Sequence, residues 1–350
     1  MSSKPKSLVV HKGALGDFLQ IWPSLYALTR YHKPGDIFWA GRFEYQLWTK
    51  PLGIETAPWH IIRAVDRLYS VTSWPKELEG WQIYWFGLKK PPSTISFPRL
   101  YFLQAIDSKQ AIHVRENYLQ QLQQMDIPAC AHWHQAWLEF FATQHIDQEK
   151  IQILPGAGHK AKCWPLDNYL QLASRLQTQG LCPVFVLGPV ERERGMEVQG
   201  FESVQPGSLA ELQEILAGSG LVVGNDSGPL HLAAYLGRPT LVLFGPSCPL
   251  RWAQFQADIF RKNPGCSPCS LTARIDCQDQ VCMRLLSIQE VYSRIQELLA
   301  SQKTKPASQE SPLRSRLWQK EEGSLNKNLH KRCQVNTTFQ LKKKTNISIG

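Results

Sequence analysis

The chain has 350 residues, enough for two α/β domains of ordinary size, and 43% of them are hydrophobic, 12 Trp included. No apolar run approaches the roughly 18 residues of a membrane-spanning helix, and the N-terminus lacks the apolar core of a signal peptide, so the sequence reads as cytoplasmic. The net charge of +10 does not describe a nucleic-acid-binding body, because residues 301–350 hold 11 Lys and Arg against 3 Asp and Glu, leaving 28 against 26 for residues 1–300.

In chain order, Leu8-Val9-Val10 predicts a short strand that breaks at Gly13. Gly16-Asp17 then opens an amphipathic helix with Phe18, Ile21, Trp22, Leu25 and Leu28 at helical spacing, and residues 37–41 form the next strand. Strand, glycine turn, helix and strand make the start of a βαβ unit and a parallel sheet. Residues 59–100 are rich in Trp and Pro and show no clear period, with Pro91-Pro92 and Phe97-Pro98 as loop signals. A helix is expected over 111–124, and the polar stretch 143–150 reads as a linker.

A second α/β unit starts with a strand at 151–154 and the turn Pro155-Gly156-Ala157-Gly158. A helix over 167–179 is closed by Gly180, and the strand 182–187 stops at Gly188-Pro189. Ser208 with Glu211 is a capping box, residues 221–223 are a strand ending at Gly224, and 230–236 are a helix closed by Gly237. A buried strand over 240–244 and an amphipathic helix over 288–299 complete the body. The expected domains are 1–147, 148–300 and a basic tail, 301–350. That tail has no apolar periodicity and reads as disordered, either a solvated appendage or a weak anchor for anionic lipid headgroups.

Three clusters fall at strand-to-helix turns, where backbone N–H groups and the helix dipole favour anions. In Gly224-Asn225-Asp226-Ser227-Gly228-Pro229-Leu230-His231, Gly228 lets a phosphate approach the backbone and the Ser227 hydroxyl can add a donor. The same residues also fit an ordinary N-cap, and His231 a packed helix histidine. In the 155–165 cluster a glycine turn precedes Lys160 and Lys162, either of which can neutralise a departing diphosphate, or simply be solvated, and no complete P-loop spacing is present. His11-Lys12-Gly13-Ala14-Leu15-Gly16-Asp17 is no dinucleotide fingerprint. It offers a carboxylate, Asp17, that can deprotonate a hydroxyl or serve only as a helix cap. Cys266-x2-Cys269-x7-Cys277-x4-Cys282 is a local cluster that suits a structural zinc, a disulfide pair or free thiols in a compact loop.

Together the clusters resemble glycosyltransferase family 9, the family of the bacterial lipopolysaccharide heptosyltransferases. Gly16-Asp17 followed by Trp22-Pro23-Ser24-Leu25 looks like the family's N-terminal segment. Lys162-Cys163-Trp164-Pro165 looks like its Lys-x-Trp-Pro segment, and the run from Asn225 to Ala234, with Phe244-Gly245-Pro246 after it, is the most specific match. The resemblance implies a GT-B architecture, two Rossmann-like domains facing a central cleft. It further implies inverting transfer without a metal or cofactor, from an ADP-linked heptose donor to a lipopolysaccharide core or related glycolipid acceptor at the inner face of the membrane. Asp17 would be the general base, and Lys162 would bind the donor phosphates. Ser227 and Gly228 would hold the diphosphate, with Asp226 and His231 beside it, and Glu191 would contact the nucleoside. The Trp-rich first half departs from the family's pattern and is where acceptor specificity is expected. The rival readings are an inactive nucleotide-sugar binder of the same fold and a nucleotide-sugar epimerase, although the latter needs acid/base carboxylates on both faces of the sugar.

Overall fold

The structure is a computed structural model, and it describes residues 5–303 except 69, 71–72, 89–98, 108, 144, 270–274, 276 and 278. The loop signals at 91–92 and 97–98 and the basic tail beyond 303 therefore lie outside the described residues. The chain divides into two compact units, the first within Met1–Asp107 and Ile112–Phe140, the second within Ser108–Ala111 and Phe141–Gly350.

The first unit holds strands β1 (Lys6–His11), β2 (Ile37–Gly41), β3 (Glu55–Thr56), β4 (Trp81–Gly87) and β5 (Leu100–Gln104), in the order β3-β2-β1-β4-β5. All pairings are parallel. Each strand must therefore be buried on both faces, which is why β1 and β4 read as near-continuous apolar runs. One face packs Leu8, Val10, Ile83 and Trp85 against Ile61, Ala64 and Val65 of the helix Trp59–Arg67. On the other side Phe18 stacks on Tyr45 at 4.3 Å between ring centroids, and Trp22 meets Trp137 edge-on at 4.9 Å. Trp22, Trp39, Trp48 and Trp137 are fully buried, and Trp81, Trp85 and Trp133 are buried as well. The tryptophans that read as an acceptor surface thus mainly build the core of this unit, because a two-sided sheet needs large apolar side chains on both faces. Trp74 is half-buried and Trp59 is 70% exposed.

The second unit holds β6 (Asp147–Leu154), β7 (Cys182–Val186), β8 (Glu202–Val204), β9 (Ser219–Asn225), β10 (Thr240–Phe244) and β11 (Asp258–Arg261), ordered β11-β10-β9-β6-β7-β8 and again all parallel. β6 starts at Asp147, inside the stretch expected to be a linker. Its polar first residues keep their backbones paired with β9 while their side chains stay exposed, and the register shifts between Asp147 and Ile151. The sheet core packs Ile151, Ile153, Leu221, Val223, Leu241 and Leu243 with the helices Leu166–Gln177 and Ile288–Lys303. Read from the first strand of each unit, both sheets follow the doubly wound order, in which the chain reverses direction between the first and fourth strands. Loops leave the carboxyl ends of those strands on opposite sides and open a crevice there. The two crevices are β1/β4 and β6/β9.

Candidate functional site

At the β1/β4 crevice, a cavity of about 180 Å³ is lined by His11, Lys12, Gly13, Asp17, Trp85, Phe86, Gly87, Leu88, Ala105, Val114 and Tyr118. Residues 12–14 form an irregular link, held by the Tyr45 hydroxyl donating to the Gly13 carbonyl at 3.2 Å, and the helix Leu15–Tyr31 follows. Asp17 is not the N-cap of that helix. It sits three residues after Ala14 and reaches back, Oδ2 accepting from Ala14 N at 3.3 Å. Its carboxylate is thus tied to the helix start while it lines the cavity. A Cβ at Gly13 would stand 2.8 Å from His11 Nε2 and 2.9 Å from Asp17 Cβ, so glycine is what lets these two side chains flank one turn. His11 is buried, and burial lowers its pKa to about 4 even though a hydrogen bond to the Phe86 carbonyl opposes the shift. The Tyr118 phenol is pushed far up by burial and by the Asp17 charge nearby, so it stays protonated. Lys12 is ion-paired with Asp66 and lies 5.9 Å over the Trp85 ring.

At the β6/β9 crevice the organising residue is Asn225, the fully buried last residue of β9. Its Oδ1 accepts from Trp164 N and from the Tyr169 hydroxyl, both at 2.9 Å. Its Nδ2 donates to the carbonyls of Pro155 at 2.6 Å and Gly156 at 3.4 Å. One amide therefore fastens the glycine turn after β6 to the Lys-x-Trp-Pro segment. Lys162 ends a single 3-10 turn whose start is held by His159 Nδ1 accepting from Ala161 N. Its ammonium lies 2.7 Å from Asp226 Oδ2, with side chains 19% and 6% exposed. Gln254 donates to the other Asp226 oxygen at 3.2 Å, and Ser247 also bonds this carboxylate. Burial alone would raise the Asp226 pKa, but the Lys162 charge and hydrogen bond, with help from His231 and Ser247, bring it below the ordinary carboxylate value.

Ser227 is the N-cap of the helix Gly228–Tyr235, yet its hydroxyl makes no capping bond, and Ser227, Gly228 and Pro229 are only half-buried. The helix start is thus presented outward, with one hydroxyl not consumed by the cap. His231 is buried one turn further on and contributes through its effect on Asp226. Glu191 lies on the short helix Pro189–Glu193, where it accepts from Gly188 N at 2.8 Å, and its carboxylate packs directly over Gly156. Lys162, Asp226, Ser227, Gly228 and His231 are therefore gathered at one crevice, with Glu191 across the Pro155–Gly158 turn. Asp17 belongs to the other unit's crevice. Asn225, Ser247, Gln254 and His11 had no assigned role in the sequence. A buried asparagine closing a strand was the available signal for the first, whereas the others sit with partners that only the fold brings near.

The four clustered cysteines are free thiols. Cys269 Sγ donates to the Cys266 carbonyl at 3.3 Å and Cys277 Sγ to that of Asp279 at 3.0 Å. Burial, with the neighbouring thiols, pushes Cys269 up to about 11, so it stays protonated. Among the described residues, no group of three or more His, Cys, Asp or Glu is placed to hold a metal ion.

The family model described as glycosyltransferase family 9 (heptosyltransferase) matches residues 104–276. The chain is 34% identical over 110 residues to lipopolysaccharide heptosyltransferase 2 of Salmonella typhimurium, covering 28% of this chain and 32% of that protein, so the aligned segment spans about a third of the relative's length. Its fold is similar to the crystal structure of a family 9 glycosyl transferase from Veillonella parvula, with TM-score 0.61 at 18% identity over 86% of this chain and 99% of the other. It is also similar to an E. coli heptosyltransferase solved with ADP, with TM-score 0.58 at 19% identity over 84% and 99%. The matched segment contains the whole β6/β9 crevice, while Asp17 and His11 lie before it.

Proposed function

Because the chain belongs to glycosyltransferase family 9 and has its GT-B fold, we propose that it transfers a heptose from an ADP-linked donor to a lipopolysaccharide core acceptor, with inversion and without a metal. The carrying observation is Lys162, held by Asp226 beside the open start of the Gly228–Tyr235 helix. In this reading the donor diphosphate lies at that helix start, with Ser227 and the Gly228 backbone as hydrogen-bond donors and Lys162 as the cation. Asp226 and His231 orient Lys162, and Glu191 shapes the turn that faces the nucleoside. Asp17 takes the proton of the acceptor hydroxyl as its oxygen attacks the anomeric carbon. The bond from that carbon to the diphosphate breaks, and the nucleoside diphosphate leaves with both electrons of that bond. The charge that grows on the leaving group meets groups already aimed at it, which is where such a site gains most of its rate. A membrane-embedded acceptor would bring the protein to the cytoplasmic face as a peripheral partner. No described helix is long and apolar enough to cross a membrane.

The test is calorimetric titration of the full chain with ADP, UDP and GDP, alongside a transfer assay using lipopolysaccharides with cores truncated at successive sugars. ADP is expected to bind selectively and to lose its affinity in Lys162→Ala. Asp17→Asn should cut transfer by roughly 10²–10⁴ while leaving ADP affinity intact. Preferred UDP or GDP binding would change the donor class. Donor binding without transfer in the parent would leave a nucleotide-sugar binder, and equal loss of binding and transfer in Asp17→Asn would remove the base assignment.

A further inference from the structure

The β1/β4 cavity contains a group that the transfer chemistry above does not use. His11, 2% exposed, ends β1 in the cavity wall, and its Nδ1 lies 3.4 Å from the Phe86 carbonyl. A carbonyl only accepts, so Nδ1 carries the proton and the neutral ring leaves Nε2 as a bare acceptor. That nitrogen is buried and has no hydrogen-bond partner among the described residues. An unsatisfied buried acceptor costs about 1–3 kcal/mol, and such a group persists where something else repays it. The edge of the ring that carries it faces the Gly13 position, the same point that Asp17 borders from the other side.

We propose that this cavity is a diol subsite, in which His11 Nε2 accepts a hydrogen bond from the sugar hydroxyl adjacent to the one that Asp17 deprotonates. The two groups at the Gly13 turn, a carboxylate and a bare imidazole nitrogen, both accept, so they select a ligand that donates twice and repel a phosphate. The nearby cation, Lys12, is already paired with Asp66. The cavity, about 180 Å³ against the roughly 30 Å³ share of a water molecule, admits the edge of one sugar ring. Trp85 and Phe86 provide apolar wall for the ring's C–H face. Nε2 is screened from bulk water, so the irregular link 12–14 has to yield as the sugar enters. That link lies outside helix and strand and carries a glycine at its centre. His11 is thus a positioning and specificity residue for the acceptor.

The inference rests on the transferase reading for the identity of the sugar, and its test is separate from transfer. The full chain, with its histidines labelled by ¹⁵N, is titrated with methyl mannoside, a sugar with two adjacent hydroxyls on one face, and with a deoxy analogue lacking one of them. The expected result is an unprotonated Nε2 on His11 that moves with the diol and not with the analogue. His11→Leu, which removes the acceptor, should weaken the diol about tenfold, the weight of one hydrogen bond, while leaving ADP affinity unchanged. His11→Gln, whose side-chain carbonyl can accept, should recover part of that loss. An Nε2 signal unmoved at the solubility limit of the sugar, or a Leu variant that binds the diol like the parent, overturns the subsite. Absent transfer with Nε2 responding to the diol would count against the transferase reading alone, and transfer with a silent Nε2 against the subsite alone.

Discussion

Asn225→Asp changes one atom group at the centre of the β6/β9 crevice, and its effect should depend on pH. The two bonds accepted by Oδ1, from Trp164 N and the Tyr169 hydroxyl, survive the change. What is lost is the amide donor to the Pro155 carbonyl at 2.6 Å. An ionised carboxylate there would face that carbonyl oxygen in a fully buried site. A protonated carboxyl would instead donate to it and restore the bond. The folded state therefore favours the neutral acid and raises its pKa above the unfolded value of about 3.9, so stability is intact at low pH and is lost as pH rises. If the acid stays fully protonated in the fold, the ceiling of the penalty is about 4 kcal/mol at pH 7 and about 1.5 kcal/mol at pH 5, at about 1.4 kcal/mol per unit. The donors on Oδ1 favour the ionised form and hold the cost below that ceiling. Thermal melts of parent and variant at both pH values read the difference, with about 2–4 °C expected per kcal/mol for a unit of this size. A drop that is equal at pH 5 and pH 7, or below about 1 kcal/mol at pH 7, would refute the claim that Asn225 holds this turn through its amide donor.

Lys162→Met leaves the Asp226 carboxylate buried with Gln254 and Ser247 but without its cation, and the melting temperature at pH 7 should fall by the equivalent of about 3–5 kcal/mol. A variant as stable as the parent would mean that the pair is not the partner the carboxylate depends on. His11 has a folded pKa of about 4 against 6.5 in the unfolded chain, so the unfolded state binds the proton first and stability falls as pH drops from 6.5 to 4. That slope amounts to about 3 kcal/mol, and denaturant melts of His11→Leu should show it flattened. Two glycines should differ sharply on substitution by alanine. Gly156→Ala displaces the flexible Glu191 side chain from Cγ outward and costs about the 1 kcal/mol of a helix cap, whereas Gly224→Ala would set a Cβ 2.5 Å from the Leu154 carbonyl oxygen and should give little folded protein. Equal soluble yields and melting points for the two would contradict the packing described.

What could be read from the sequence depended on whether the signal was local. The helix Leu209–Ala217 was visible because its capping box is written in two residues, Ser208 and Glu211, and the hydroxyl does accept from Glu211 N at 3.1 Å. Gly180 marked the end of the helix Leu166–Gln177 because the chain turns there at φ +75, where glycine bears no steric penalty. β4 was not visible. Trp-Gln-Ile-Tyr-Trp-Phe-Gly, buried along nearly its whole length, has no alternation to separate a central parallel strand from any other aromatic run. At the site, Lys162 and Asp226 stood out by residue type and place, but their ion pair joins residues 64 apart in the chain, and Asn225 reaches 70 residues back to Pro155. The doubly wound order supplies those distances. It sets the first and fourth strands side by side in each unit, so a glycine turn after the first strand always meets the end of the fourth. Gly13 beside Phe86 and Gly156 beside Asn225 occupy the same place in their respective sheets. The chain equips that one place with acceptors in the first unit, Asp17 and His11, and in the second with a cation and an open helix start. A donor of hydrogens suits the former and an anion the latter, a division of labour that follows from the side chains placed on a repeated backbone plan.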